Sequence, residues 1–477
     1  MKLLNSIAIA LLVLLSIQIQ AQDRPNILWI NGDDLGAELG CYGNPDVYTP
    51  HMDKLASEGI RFTKAYSNAA VCSASRSSMI TGMYPPSVNS HDHRTIDKTP
   101  LPQGIEPIVT YFQEAGYYCI NGNARNPKVK GKGDYNFTNK IEYDDINWNT
   151  RAEGQPFFAQ IQINDPHRTF HHDKEHPIDY KTVSMPKCYP DYPLLKADWA
   201  WYLESVQHAD NYVGQILKRL EEEGLANNTI VILFGDHGRP HLRDKQFLYE
   251  GGIHIPLIVR YPDGKNAGTV DEQLISLIDV AASTLAMANI KQPKHMQGID
   301  LLGKKPNKRK YIYAFRDRAG DAPDNIRSIC DGQYKLIWNR MPNQPYMQLS
   351  SYKRLQYPAY TLYHEYYKSG KLKAPYTQFM ASTRPEIELY DLNQDPNELN
   401  NLANKKDYAN IKNKLFKKLE SQMPKFEENR IAEAPETTLK AKKSSDAYLK
   451  TSLKKRGLDP NISDKDLLIY WEELLLK

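Results

Sequence analysis

Cys72 and Arg76 stand four residues apart in the run Cys72, Ser73, Ala74, Ser75, Arg76, Ser77, Ser78, Met79, Ile80, Thr81, Gly82. If that run opens a helix, a thiol and a guanidinium share one of its faces. The helix start adds unpaired backbone N–H groups and the positive end of a dipole, which suit an anion or an anionic tetrahedral intermediate. A solitary cysteine is ordinarily a small core residue. The residue types fixed around Cys72 set it apart from Cys41, Cys119, Cys188 and Cys330. Acids and histidines end three apolar runs elsewhere: Asp33 and Asp34 after residues 26–31, Asp165 and His167 after 157–163, and Asp236 and His237 after 229–234.

Those runs are β-branched and continuously apolar, as strands buried on both faces are. Helical patterns fall between them. One holds Met52, Leu55 and Ala56, is opened by Thr49 and Pro50 and closes at Gly59; another covers residues 199–223 and stops at Gly224. The alternation predicts an α/β fold, a layered domain with a large, mainly parallel sheet flanked by helices. In such open sheets ligands gather beyond the carboxyl ends of the strands, so the terminal acids and histidines should converge on one cleft.

The chain has 477 residues, 41% hydrophobic and 25% charged, enough for one large domain with a smaller companion. Residues 1–21 carry Lys2, a short apolar run and a polar end, the pattern of a cleaved signal peptide. A periplasmic or secreted protein is expected, with no membrane span, since no later segment approaches the roughly 20 apolar residues that a span needs. Without Lys2 the net charge falls only from +4 to +3, which does not announce a nucleic-acid partner. The five cysteines have no disulfide or zinc spacing. Composition shifts after residue 302, and the expected division is 22–302 catalytic, 303–430 a smaller α+β subdomain and 431–477 a helical extension.

The run from Cys72 to Arg76, with Thr81 and Gly82, resembles the signature of type I sulfatases, a formylglycine-dependent family of the alkaline phosphatase superfamily. The resemblance implies that Cys72 is oxidised by a formylglycine-generating maturase to 3-oxoalanine (formylglycine). One hydroxyl of its hydrate attacks sulfur and displaces the alcohol or amine, and proton loss from the other then expels sulfate and restores the aldehyde. Ala74 stands where many members have proline, and the resemblance implies that an oxygen-independent radical maturase accepts alanine there more readily than the aerobic one does. Asp33, Asp34, Asp236 and His237 match the family's calcium site together with residue 72. Three carboxylates are the hard oxygen donors that calcium takes, and nitrogen is a poorer one. His167, within Asn164, Asp165, Pro166 and His167, matches a histidine at the ester oxygen. Lys245, four residues before Tyr249, Glu250, Gly251 and Gly252, resembles the lysine that neutralises the transferring sulfate. The family's glycine, lysine, any residue, histidine element is met at Gly131, Lys132 and Gly133, except that Asp134 replaces the histidine. Lys132 is therefore the expected lysine, and His93, in His91, Asp92, His93 and Arg94, the expected substitute for the histidine. An exposed polar loop is the plain alternative for those four residues.

Arg316, Asp317, Arg318 and Arg327, with a later segment from Glu388 to Pro396, resemble the C-terminal part of N-sulfoglucosamine sulfohydrolase-like and bacterial polysaccharide sulfatases. The implied substrate is a sulfated oligosaccharide or polysaccharide fragment, met by His91, His93, Arg94, Arg316 and Arg318. Arginine forks suit its sulfates and carboxylates. The tyrosine-dense residues 346–367 could stack on sugars or pack in the core. A phosphonate or phosphodiester hydrolase of the same superfamily, and an unmodified glycan-binding protein, are the alternatives.

Overall fold

Continuous apolar β-branched runs must be covered on both faces, and β1 (Asn26–Gly32) is buried along its whole length. In the computed structural model, which describes residues 24–303 and 307–477, β1 lies within a seven-stranded sheet. The others are β2 (Ile60–Tyr66), β3 (Tyr118–Asn123), β4 (Phe157–Ile163), β5 (Thr229–Gly235), β6 (His254–Arg260) and β7 (Thr269–Ser276). The order is β3-β4-β1-β5-β6-β2-β7, and only β6 runs against its neighbours. The expected signal peptide lies outside the described residues.

Alternation along β1 divides the core in two. Ile27 and Trp29 face α2 (Cys72–Thr81), α3 (Ile108–Glu114) and α6 (Leu277–Met287). Leu28 and Ile30 face α1 (Pro50–Glu58) and α4 (Pro193–Glu222). A short α5 (Glu250–Ile253) leads into β6. The helix α4 begins earlier than the apolar period predicts, because Pro193 supplies a start at its first position.

Four antiparallel strands form a second sheet in the order β11-β10-β9-β8: β8 (Ile312–Arg316), β9 (Ile326–Cys330), β10 (Tyr334–Asn339) and β11 (Ile387–Asp391). The helix α9 (Ala409–Phe426) covers one face through Leu415, Leu419 and Met423. Toward the other face lie α7 (Ser351–Gln356), α8 (Pro358–Lys368) and α11 (Asp464–Leu475). Tyr357, Tyr360 and Tyr363 of the tyrosine-dense stretch are buried in this core. The helix α10 (Pro435–Lys455) packs on α7. All five cysteines are free. Among the described residues no helix is long and apolar enough to cross a membrane.

The strand register brings the chemistry together. Gly32 pairs with Ile163 of β4 on one side and with Gly235 of β5 on the other, both in parallel. The residues that follow these three strands therefore leave the sheet side by side. Gly235 is required there, since a Cβ would meet the Leu35 carbonyl oxygen at 2.0 Å.

Trp29 holds the sheet to α6. It is fully buried, its indole N–H donates to Thr284 Oγ1 at 3.0 Å, and its ring meets Phe158 and Phe234 edge-on. Trp29→Ala should cost about 3–5 kcal/mol through lost contact and cavity, read as a lowered midpoint in urea denaturation. A change below about 1 kcal/mol would show that Trp29 does not bind the two layers together.

Candidate active site

Neighbouring residues of a strand point to opposite faces, yet Asp33 and Asp34 both reach one cleft. The chain breaks the alternation by turning left-handed at Asp34, with φ 64°. Aspartate tolerates that region better than most residues. The turn is tied down by Asp33 N–H to the Ile163 carbonyl and by Asp34 N–H to Asp236 Oδ1, each 3.0 Å.

The helix α2 enters from β2 through Val71, whose extended backbone provides no side-chain cap, so its first N–H groups remain open at Cys72. It ends at Gly82, left-handed with φ 64°. All ten residues are buried. Its hydroxyls are accommodated by bonds to backbone carbonyls: Ser77 to Ser73 at 2.7 Å, Thr81 to Ser77 at 2.7 Å and Ser78 to Met83 at 2.6 Å.

The four-residue spacing sets Cys72 and Arg76 side by side. Cys72 Sγ lies 3.3 Å from His237 Nε2, 3.6 Å from Lys245 Nζ and 4.0 Å from Asp34 Oδ1. Arg76 Nε donates to Asp236 Oδ2 at 2.9 Å, and its Nη2 reaches Asp33 Oδ1 at 3.3 Å. Gln162 Oε1 accepts from Arg76 Nη1 at 2.7 Å. Lys132 Nζ bridges both oxygens of Asp33 at 2.7 and 2.9 Å, and Lys245 Nζ both oxygens of Asp34 at 2.6 and 2.9 Å. His237 Nδ1 donates to the Gly238 carbonyl at 2.8 Å, which turns Nε2 inward to 3.0 Å from Asp34 Oδ1. His167 Nδ1 donates to the Arg168 carbonyl at 2.6 Å, leaving Nε2 4.0 Å from Asp34 Oδ2.

The acids survive burial through these cations. Burial pushes the Asp33 carboxyl up, but Lys132 and then Arg76 hold it well below the usual carboxylate range. Asp34, also opposed by burial, is held low chiefly by Lys245. Burial lowers His237, and Asp236, the thiol and Asp34 outweigh it to hold the imidazole well above its ordinary value. Burial lowers His167, with Asp34 opposing.

Ligand atoms of Asp34, Cys72 and His237, and of Asp33, Cys72 and Asp236, fall within 4.8 Å of one another. Three carboxylates with fully or nearly buried side chains suit a hard divalent cation such as calcium. The inward Nε2 of His237 is oriented as a ligating imidazole is, by a hydrogen bond from its other nitrogen.

The thiol opens into a cleft of about 470 Å³ walled by His93, Arg94, Lys132, His167, Lys245, Arg318 and Tyr352, with Ser444, Ser445 and Tyr448 of α10 opposite. His93 Nδ1 lies 3.0 Å from Ser73 Oγ. Burial, then Arg94, keeps His93 well below its ordinary value. Arg94 clasps Asp134 through Nε at 3.1 Å and Nη2 at 2.8 Å, so the acid in the expected histidine position serves as an arginine partner. Arg318 reaches the cleft while held by Glu433, with Nη2 to Oε1 at 2.8 Å.

Two of the expected substrate contacts lie elsewhere. Arg316 is buried on β8, where Asp324 takes its guanidinium beneath the Phe247 ring, so it does not line the cleft. His91 is buried in a separate hollow with Asn89, Asp92 and Thr437, and burial lowers it to about 4. Sequence patterns also missed several residues. Gln162 was hidden inside an apolar strand, and α10 bears no motif. Arg168 lines the cleft while clamped by Asp198 at 2.6 and 2.7 Å. Tyr352 presents a buried hydroxyl without a hydrogen-bond partner among the described residues, its ring 5.5 Å from Lys245 Nζ.

A layered α/β sheet whose strand ends hold carboxylates, cations and a thiol around one point defines an enzyme that handles tetrahedral anions. The sulfatase family matches residues 25–146 and 122–290, and the C-terminal region of N-sulphoglucosamine sulphohydrolase matches residues 235–349. An ulvan-active sulfatase of Formosa agariphila is 32% identical over 84% of this chain and 75% of its own. Human N-sulphoglucosamine sulphohydrolase is 25% identical over 85% of this chain and 90% of its own. The fold also matches a structure solved with D-glucosamine-2-N,6-O-disulfate, at a TM-score of 0.61 and 19% identity over 85% of this chain and 99% of that one. The chain belongs to the sulfatase family, whose members hydrolyse sulfate esters or N-sulfates.

Because Asp33 and Asp34 titrate lower folded than unfolded, their stabilisation is present above the unfolded carboxylate value near 4 and fades as pH falls through the lower folded values. Melting temperature in a chelating buffer should therefore be steady at neutral pH and fall below about pH 4. Lys245→Met, by removing the chief cation from Asp34, should lower the melting temperature at neutral pH and shrink that fall. Superimposable profiles would disprove the pairing.

Proposed function

We propose that this chain is an exported hydrolase that removes sulfate from an O or N position of a sulfated glycan, using formylglycine made from Cys72 and a bound calcium. The observation carrying this reading is the Cys72 thiol, at the open start of α2 and within 4.0 Å of His237, Lys245 and Asp34. The substrates named for the relatives, ulvan and N-sulphoglucosamine, support a glycan. The hydrated aldehyde would supply a nucleophilic hydroxyl at position 72, and calcium held by Asp33, Asp34, Asp236 and His237 would supply Lewis acidity.

The remaining roles follow from charge and placement. Asp33, Asp34 and Asp236 are balanced by Arg76, Lys132 and Lys245, so a divalent cation turns the cluster positive and favours an anion over water. Lys132 and Lys245 line the cleft beside that cluster and would take up the oxygens of the transferring sulfate. His167, with Nδ1 committed to a carbonyl, offers Nε2 to the departing oxygen. It acts as an acid only as imidazolium, and the negative charge of bound substrate raises its affinity for that proton. His93, beside Ser73, would stand in for the histidine absent after Lys132. Residues 22–302 would carry the chemistry, with 303–430 and 431–477 shaping the outer walls.

Cys72→Ala should reduce sulfate release from 4-nitrophenyl sulfate and from sulfated sugars by about three orders of magnitude or more, with melting temperature nearly unchanged. Activity surviving in that variant would overturn the nucleophile. Mass spectrometry of the Cys72 peptide from the native host should find the lighter formylglycine, and an unmodified thiol would favour a glycan-binding protein. Turnover of the matching aryl phosphate in preference would instead indicate a phosphonate or phosphodiester hydrolase. Asp236→Ala should weaken calcium binding about tenfold or more, measured by calorimetry, and unchanged affinity would remove Asp236 from the metal site.

A further inference from the structure

A second hollow of about 480 Å³ shares Lys132, His167 and Arg168 with the cleft and is lined also by Asn123, Arg125, Lys130 and His171. Its two acids are already engaged, Asp33 by Lys132 at 2.7 Å and Asp165 by His171 at 3.2 Å. Arg125 and Lys130 line it exposed, and among the described residues neither forms an ion pair. Arg125 lies within electrostatic range of Asp165 and Tyr212 without contacting either in an ion pair. The two cations belong to a run in which Arg125, Lys128, Lys130 and Lys132 occur with no acid among them.

That run is fixed to the sheet. Lys130 forms a bridge with Gly122 of β3. Gly131 N–H donates to the Asn121 carbonyl at 3.0 Å, and Asn121 Nδ2 donates back to the Gly131 carbonyl at 2.9 Å. A Cβ at Gly131 would meet Asn121 Oδ1 and the Gly122 carbonyl at 2.4 Å, so the close approach needs glycine. Ala124 N–H donates to the Gln162 carbonyl at 3.0 Å, which fixes the chain just before Arg125. The backbone that carries the two cations is thus fixed before a ligand arrives, which leaves only their side chains to be ordered on binding. The α10 part of the cleft is different in kind: its charges are already engaged, Arg318 by Glu433 at 2.8 Å and Asp321 by the Ser351 N–H at 3.0 Å, and Ser444, Ser445 and Tyr448 add neutral polar groups and an aromatic face.

We infer that the hollow around Arg125 and Lys130 is a subsite for a second anionic group of the substrate, a carboxylate or sulfate on the sugar next to the one being desulfated. The inference rests on the proposed glycan sulfatase activity and adds a direction to it. The anionic neighbour lies toward Arg125, and the uncharged face of the substrate lies against α10. Guanidinium and ammonium groups both bind such oxyanions, and their exposure makes the contribution dependent on salt.

The test measures binding on a Cys72→Ala background, so that it is independent of turnover. Three sulfated disaccharides serve as probes: one with a neighbouring hexuronate, its carboxyl-reduced counterpart, and one with a second sulfate in place of the carboxylate. Calorimetry should show tighter binding of an anionic probe than of the reduced one. Arg125→Ala with Lys130→Ala should cut that preference about tenfold, and Arg125→Lys with Lys130→Arg should keep it. Preference for the hexuronate alone assigns a carboxylate, and for the disulfated probe alone a sulfate. No preference in the starting chain, or equal losses for charged and reduced probes, overturns the subsite. Release of sulfate from 4-nitrophenyl sulfate by the chain with Cys72 intact tests the underlying activity separately.

Discussion

Three carboxylates, Asp33, Asp34 and Asp236, lie buried around the Cys72 thiol, and the architecture depends on compensating them. Removing one ion from water costs several kcal/mol even after relaxation, and a like charge alongside adds to that. The compensation arrives from separate parts of the chain: Arg76 from α2, Lys132 from the segment after β3, and Lys245 from the segment after β5. Each ion pair is therefore also a tertiary clamp. Loss of α2 packing would strand Asp236 and Asp33, and a shift in the Lys132 segment would strand Asp33 again. Such coupling gives the site a defined geometry, and it makes the strand ends depend on the same charges that would bind an anion.

What the sequence made legible was whatever is encoded over a few neighbouring residues. Apolar runs ending in acids located β1, β4 and β5, and parallel pairing carried Asp33, Asp34, His167 and Asp236 to one edge. The four-residue spacing of Cys72 and Arg76 was enough to place both on one side of α2. The left-handed turn at Asp34, which allows adjacent aspartates to face the same way, leaves no trace in residue type alone.

The arginines mark where local reading stops. Arg316 and Arg318 are two residues apart at the end of β8, yet Arg318 reaches the cleft and Arg316 does not. The difference is made by Asp324, which captures Arg316 beneath Phe247 from a position no spacing rule connects to it. Gln162 is similar: a polar side chain inside an apolar strand earns its place only once Arg76 is known to lie above it. The α10 wall, from beyond the residues matched by the family, has no internal signature because its role is set by what it faces.

The central charges also explain why the cleft has two unlike ends. At its centre Arg76, Lys132 and Lys245 are committed to carboxylates, so little of their charge is free to reach along a bound glycan. Recognition away from the reacting sulfur must come from groups that are not paired. On the α10 side these are the Ser444 and Ser445 hydroxyls and the Tyr448 ring, which read shape and hydrogen bonding. On the β3 side they are charges on a segment whose backbone is bridged to the sheet, which read electrostatic potential. A substrate reversed in the cleft would set its anionic neighbour against neutral groups and leave Arg125 and Lys130 facing water. The asymmetry therefore discriminates by orientation as well as by composition, through groups that need take no part in breaking the sulfur bond.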